Sequence, residues 1–145
     1  TLSTLVAVGG IVGSLLAIAL AKVYSRRLPV IRISGLCMTL LGALMFYTEN
    51  GVLSAIAAFL IGVFMFLPVS SLMMIPQELP GMTPAKLTVI MGIFWALSYI
   101  IETIAYFIIG LIIDYSGYTM GLNLALIMSI TFFVGSFLLP ETGKK

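Results

Sequence analysis

The stretch Thr83–Asp114 reads T-P-A-K-L-T-V-I-M-G-I-F-W-A-L-S-Y-I-I-E-T-I-A-Y-F-I-I-G-L-I-I-D, and from Leu87 to Ile113 its only charged residue is Glu102. A helix needs ~20 mostly apolar residues to cross a hydrocarbon core of ~30 Å, so this run is long enough to span a bilayer. Its start is marked chemically. Thr83 followed by Pro84 reads as an N-cap with proline at the first helical position, where no backbone donor is needed. The run is continuously apolar and lacks the two-residue alternation of a barrel strand, so a helix is expected.

The rest of the chain has the same character. Of its 145 residues 61% are hydrophobic and 8% charged, and the mean hydropathy is +1.24. A water-facing domain needs far more polar surface than that, so lipid is the expected solvent. The net charge of +2 gives no electrostatic footprint for nucleic acid. The single cysteine, Cys37, cannot close an intrachain disulfide. Histidine is absent, which removes the commonest metal ligand and the side chain that titrates nearest neutral pH. No cofactor or metal is implied. No nucleophile stands beside a base, and Glu102 and Asp114 are about three turns apart on one helix, too far for a carboxylate pair. An enzyme is not expected. The first apolar run is too long for a secretory signal, and its basic residues follow rather than precede it. The chain opens on Thr1 and enters an apolar run at once, which reads as a piece of a longer protein.

Breaks in the apolar pattern divide the chain into five spans: 2–21, 30–47, 52–75, 85–113 and 120–139. The expected fold is an all-α membrane protein in one membrane domain, residues 1–145. Orientation follows from the basic residues. Lys22, Arg26, Arg27 and Arg32 surround the first connection, Lys86 lies in the third, and Lys144 and Lys145 follow the fifth span, so all seven Lys and Arg fall on one side. The second and fourth connections carry only Glu49 and Asp114. The basic side is expected in the cytoplasm of a cell (inner) membrane, with the amino end outside and the carboxyl end inside. Tyr47, Tyr115 and Tyr118 then belong to the outer interface and Tyr24 to the inner one.

Lipid tails give helices no hydrophobic reason to associate, so close packing needs small residues. Gly9, Gly13, Ala17 and Ala21 recur every four residues on the first span, Gly35, Thr39 and Ala43 on the second, and Ala58 and Gly62 on the third. Such a stripe serves ordinary helix packing or a sliding contact in a transport cycle. The third span also carries Pro68, which removes a backbone hydrogen bond and favours a kink. Ser70 and Ser71 just beyond it are candidates to satisfy the freed carbonyls. A broken helix of this kind lines a cavity or is purely structural.

On a wheel at the 3.6-residue period, Trp95, Ser98, Tyr99, Ala105 and Tyr106 fall within about 60° of Glu102. A charge at a helix centre costs ~2.5–3.5 kcal/mol on insertion scales, so this stripe is expected to face protein or water. Glu102 either binds a proton or a cationic group, oriented by Tyr99 and Tyr106, or packs helices as a neutral acid bonded to Ser98 or a tyrosine.

The order of features resembles the major facilitator superfamily over the whole chain. L-A-K-V-Y-S-R-R-L-P (20–29) is similar to the second copy of that family's basic cytoplasmic loop, G-x-L-A-D-R-x-G-R-R. Arg26 and Arg27 match residue for residue, while Lys22 stands in place of the aspartate and Ser25 in place of the glycine. L-I-G-V-F-M-F-L-P-V-S-S (60–71) resembles the tenth helix, and Q-E-L-P-G-M-T-P-A-K (77–86) the acidic-then-basic loop after it. I-M-G-I-F-W-A-L-S-Y-I (90–100) and I-G-L-I-I-D-Y-S-G-Y (109–118) resemble the eleventh helix, and L-P-E-T-G-K-K (139–145) the close of the twelfth. The E-L-P-G-M-T-P wording is similar to the cyanate-permease-like branch.

The resemblance implies that the chain is the partial carboxyl-terminal half of such a fold, helices eight to twelve of twelve. Its partners are then the lipid bilayer, the missing amino-terminal helices of the same transporter and a small-molecule solute. It implies a secondary transporter, a symporter or other permease, working by alternating access, with the tenth helix lining the cavity and the eighth and eleventh flanking it. The competing reading is a five-span membrane protein that binds or scaffolds a partner without moving solute.

Overall fold

The computed structural model describes residues 1–143, and among them every regular element is a helix. These are α1 (Leu2–Val23), α2 (Leu28–Tyr47), α3 (Gly51–Gln77), α4 (Pro84–Ser116) and α5 (Tyr118–Gly135). Each is long and apolar enough to cross a membrane. Lys144 and Lys145 lie outside the described residues.

Local chemistry sets most boundaries. The Asn50 side chain accepts from the backbone N–H of Val52 and Leu53 at 3.0 and 3.3 Å and starts α3. Thr83 accepts from the N–H of Lys86 at 3.4 Å, with Pro84 at the first position of α4. Between α4 and α5 stands Gly117 alone, at φ +87°. That left-handed backbone is nearly free for glycine and strained for other residues, so two antiparallel helices meet through one residue. α2 begins at Leu28, ahead of Val30, because Pro29 sits in the first turn where its missing N–H costs nothing. α3 passes through Pro68 and Pro76 as one helix to Gln77. α5 stops at Gly135, four residues before the end of its apolar run. There the Ser136 hydroxyl donates to the Phe133 carbonyl and its N–H closes the last turn.

The helices pack in the order α1, α3, α2, α5, α4, and α4 touches α3 only lightly. The tightest seam is α1 on α3. A Cβ added at Gly9 would overlap the Phe59 carbonyl, one at Gly13 the Val63 backbone, and one at Gly62 the Val6 carbonyl. Backbone therefore lies on backbone along this seam, the arrangement that small residues permit when no hydrophobic effect drives association. Ala17 and Ala58 are buried in continuation of it, whereas Ala21 is only half-buried. On α2, Gly35 meets Phe132 and Phe133, and the Thr39 hydroxyl lies 3.0 Å from that of Ser129. Gly42, seven residues on from Gly35, also faces this side and meets Leu126, while Ala43 is half-buried beside it.

Gly62→Leu should accordingly lower resistance to unfolding in a detergent titration by ~1–3 kcal/mol, the usual cost of overpacking. Gly92, which has open space around it, should accept alanine with no loss. Equal stability of the two variants would refute the close seam.

Polar contacts at both ends show which connections share a side. The Tyr47 hydroxyl donates to the side chain of Asn123, joining the ends of α2 and α5 beside the Glu49 and Asp114 connections. At the opposite, basic end, Leu28, Ile31 and Ile75 form a buried cluster covered by Leu72, Phe132 and Leu139. It ties α2 and α3 to the segment after α5. α4 is the exception. It has no buried residue along its whole length.

Candidate functional site

The densest polar chemistry lies at the basic end, above that buried cluster. Arg27 precedes α2 and is 6% exposed. Its guanidinium donates to Glu78, just past the end of α3, through Nη2 at 2.7 Å and Nε at 3.3 Å. The Thr142 hydroxyl donates to the second oxygen of Glu78 at 2.8 Å. Glu141 completes the arrangement. Its carboxylate accepts from the backbone N–H groups of Arg27 at 2.8 Å and Leu28 at 3.1 Å, and from that of Gly143 at 3.1 Å. A carboxylate from the tail thus caps the first turn of α2, where unpaired N–H groups and the positive end of the helix dipole favour an anion. One turn into α2, the Arg32 guanidinium lies over the Phe137 ring, 4.4 Å from its centroid.

Sequence reasoning found half of this cluster. It named Arg26 and Arg27 and read Q-E-L-P and L-P-E-T-G only as loop wording. The acid that pairs with Arg27 comes from 51 residues away, and the acid that caps α2 from 114 residues away. No local spacing encodes either.

Glu141 titrates below the ordinary carboxyl value of 4.5. Desolvation pushes it upward, but the three N–H donors and the nearby Arg26 charge together outweigh that. The folded state therefore binds the ionised form preferentially. Its contribution is complete above pH 4.5 and is lost as pH falls below that value through the depressed folded pKa. The thermal midpoint in detergent should fall more steeply below pH 4.5 for the native chain than for Glu141→Gln. Parallel curves would remove Glu141 from the acid response.

The sequence-predicted stripe on α4 is present but unpartnered. Glu102 sits near the midpoint of α4 and is exposed. Trp95 and Tyr99 stack with centroids 5.9 Å apart, and Tyr106 is 68% exposed. Ser98 does not bond to Glu102, because its hydroxyl donates to the Phe94 carbonyl one turn back, at 2.7 Å. Among the described residues Glu102 makes no hydrogen bond or ion pair. On α3, Pro68 is fully buried, Ser71 buried and Ser70 half-buried. Neither serine makes a side-chain hydrogen bond among the described residues. The carbonyl that Pro68 leaves unpaired belongs to Phe64, about two turns back from Ser71 and out of its reach. α3 and α4 meet instead at an apolar crevice between Met73 and Pro76 on one side and Met91 and Phe94 on the other. The proline–serine segment and Glu102 are thus not brought together.

A comparison with protein-family models matches residues 4–114 to a family described as Mycoplasma MFS transporter. The chain belongs to this family. The match takes in α1 to α3 and nearly all of α4, and with them Arg27, Glu78 and Glu102. Comparison with curated proteins and with solved structures returns no match. Membership makes the chain an integral membrane protein of a transporter family. Lys22 stands where that loop's aspartate would be, and Arg27 pairs instead with Glu78 from the end of α3.

Proposed function

We propose that the chain is the last five helices of a twelve-helix secondary transporter that moves a small solute by alternating access. The observation that carries this reading is α4. It has 33 residues, none of them buried, and holds a carboxylate near its midpoint. A charge facing lipid at that depth costs ~2.5–3.5 kcal/mol, so this face needs protein or water against it. The amino-terminal helices of the same transporter supply that cover, and the gap between the two halves is the solute path. The well-tied end formed by α2, α3 and the tail then moves as one body against the missing half. Nothing in the chain favours the scaffold reading over this one.

The E-L-P-G-M-T-P stretch (78–84) directs the search for substrate toward small anions first. The test is uptake by the full-length transporter in proteoliposomes, against a panel of small anions and nutrients, with and without an ion gradient. Accumulation above the outside concentration supports the reading. Binding of a partner protein with no solute movement under any gradient would replace it with the scaffold.

The basic end is proposed to face the cytoplasm. In a background with Cys37 replaced, cysteines at Asn50 and Ser116 should react with an impermeant reagent from outside, and one at Ser25 should not. The opposite labelling pattern would invert the topology.

A further inference from the structure

An open cavity of about 450 Å³ lies at the basic end beside the first turn of α2, lined by Arg26, Leu28, Pro29, Arg32, Glu141 and Gly143. Two of its walls are cationic, and neither Arg26 nor Arg32 has an ion-pair partner among the described residues. Arg32 is held in place rather than free to swing. Its guanidinium rests on Phe137, and its Nε is buried with no hydrogen-bond partner. Glu141 also lines the cavity; its carboxylate, held by backbone N–H groups, stays ionised and offsets part of the charge of Arg26, so the two arginines leave the lining with a net positive charge. The cavity thus presents Arg26 and the guanidinium of Arg32, held in place on Phe137, beside the amino-terminal end of α2. Pro29 is shared with a neighbouring apolar groove of about 240 Å³, lined also by Leu20, Tyr24, Val30, Ile33 and Leu67.

We propose that this cavity binds the phosphate headgroup of an anionic phospholipid, with an acyl chain lying in the groove across Pro29. The guanidinium fork matches a phosphate better than an ammonium does, and weak hydration makes it easier to desolvate at an interface. Basic pockets between spanning helices are suited to such headgroups. The adjoining apolar groove favours a lipid over a free phosphate, because only a lipid fills both compartments.

The test is native mass spectrometry of the full-length transporter in neutral detergent, titrated separately with phosphatidylglycerol, phosphatidylcholine and inorganic phosphate. Phosphatidylglycerol should be retained in preference to phosphatidylcholine, and less so as salt is raised. Arg26→Gln and Arg32→Gln should each weaken its retention about fivefold and the double variant about 25-fold, the effect of one surface cation apiece. Arg32→Lys should fall between the native chain and Arg32→Gln. Arg26 lies in an exposed connection, so its variant gives a reading even if Arg32→Gln fails to fold. Equal retention of both lipids, or unchanged retention in Arg26→Gln, would overturn the site. Inorganic phosphate held as tightly as phosphatidylglycerol would overturn the lipid assignment and leave a soluble-anion site. The readout depends on neither transport nor orientation, so its failure leaves the transporter reading standing.

Discussion

Glu78→Ala should destabilise the protein by about 3 kcal/mol in a detergent unfolding titration, and adding Arg27→Met should recover most of that loss. The reasoning rests on an asymmetry within the pair. The Arg27 side chain is 8% exposed and that of Glu78 is 26% exposed. Removing Glu78 leaves a guanidinium inside the protein with nothing to replace its hydration, and its Nη1 already lacks a partner among the described residues. Removing Arg27 instead leaves a carboxylate that water reaches, so Arg27→Ala should cost less than Glu78→Ala. Methionine keeps the apolar stem of arginine, which packs at the start of α2, and carries no charge that needs a partner. The double variant tests the charge specifically. If it were as unstable as Glu78→Ala alone, the loss would come from other contacts of Glu78, such as that with Thr142, and the buried cation would be irrelevant.

The spans of this protein were legible because lipid imposes a coarse rule: backbone polar groups must be satisfied within each segment, so a long apolar run is a helix. Caps were legible where one residue does the work, as at Thr83. The end of α5 was not. Its apolar run continues to Leu139, but a hydroxyl turn at Ser136 and the reach of Glu141 toward α2 stop the helix earlier. Those are tertiary causes that composition does not register. The small-residue stripes on α1 and α3 were legible as faces for close packing, because close approach depends on side-chain size at fixed spacing, but which two helices would share a seam was not. The Arg27 cluster needed three segments to converge at one end, and sequence spacing holds no trace of which acid meets which base. Glu102 is the converse case. Its oddity was visible at once, since a lone charge in an apolar helix needs a reason, yet the helices described here do not supply its partner.

For that reason the decisive experiment on Glu102 belongs in the full-length transporter. Glu102→Gln keeps the shape and hydrogen-bonding capacity of the side chain and removes its ability to gain or lose a proton. The surroundings of Glu102 among the described residues argue against simple packing: Ser98 is already bonded to its own helix, Tyr106 is exposed, and Trp95 and Tyr99 stack on each other. The acid is therefore free to serve whatever occupies the face of α4. Intramembrane acids in transporters characteristically form proton relays or hold cations, which offsets their insertion cost. If Glu102 does so, the variant should express and fold normally. Its uptake against a concentration gradient should fall on the order of tenfold or more, equivalent to ~1.4 kcal/mol of lost coupling. Exchange of solute across equal concentrations should persist, because it needs the cavity and the rocking motion but no net proton movement. Comparing the two assays in the same proteoliposomes separates coupling from damage. Loss of both would mean that Glu102 holds the fold or the solute itself. Full concentrative uptake at normal expression would leave it a neutral packing residue, and the coupling group would have to be sought elsewhere.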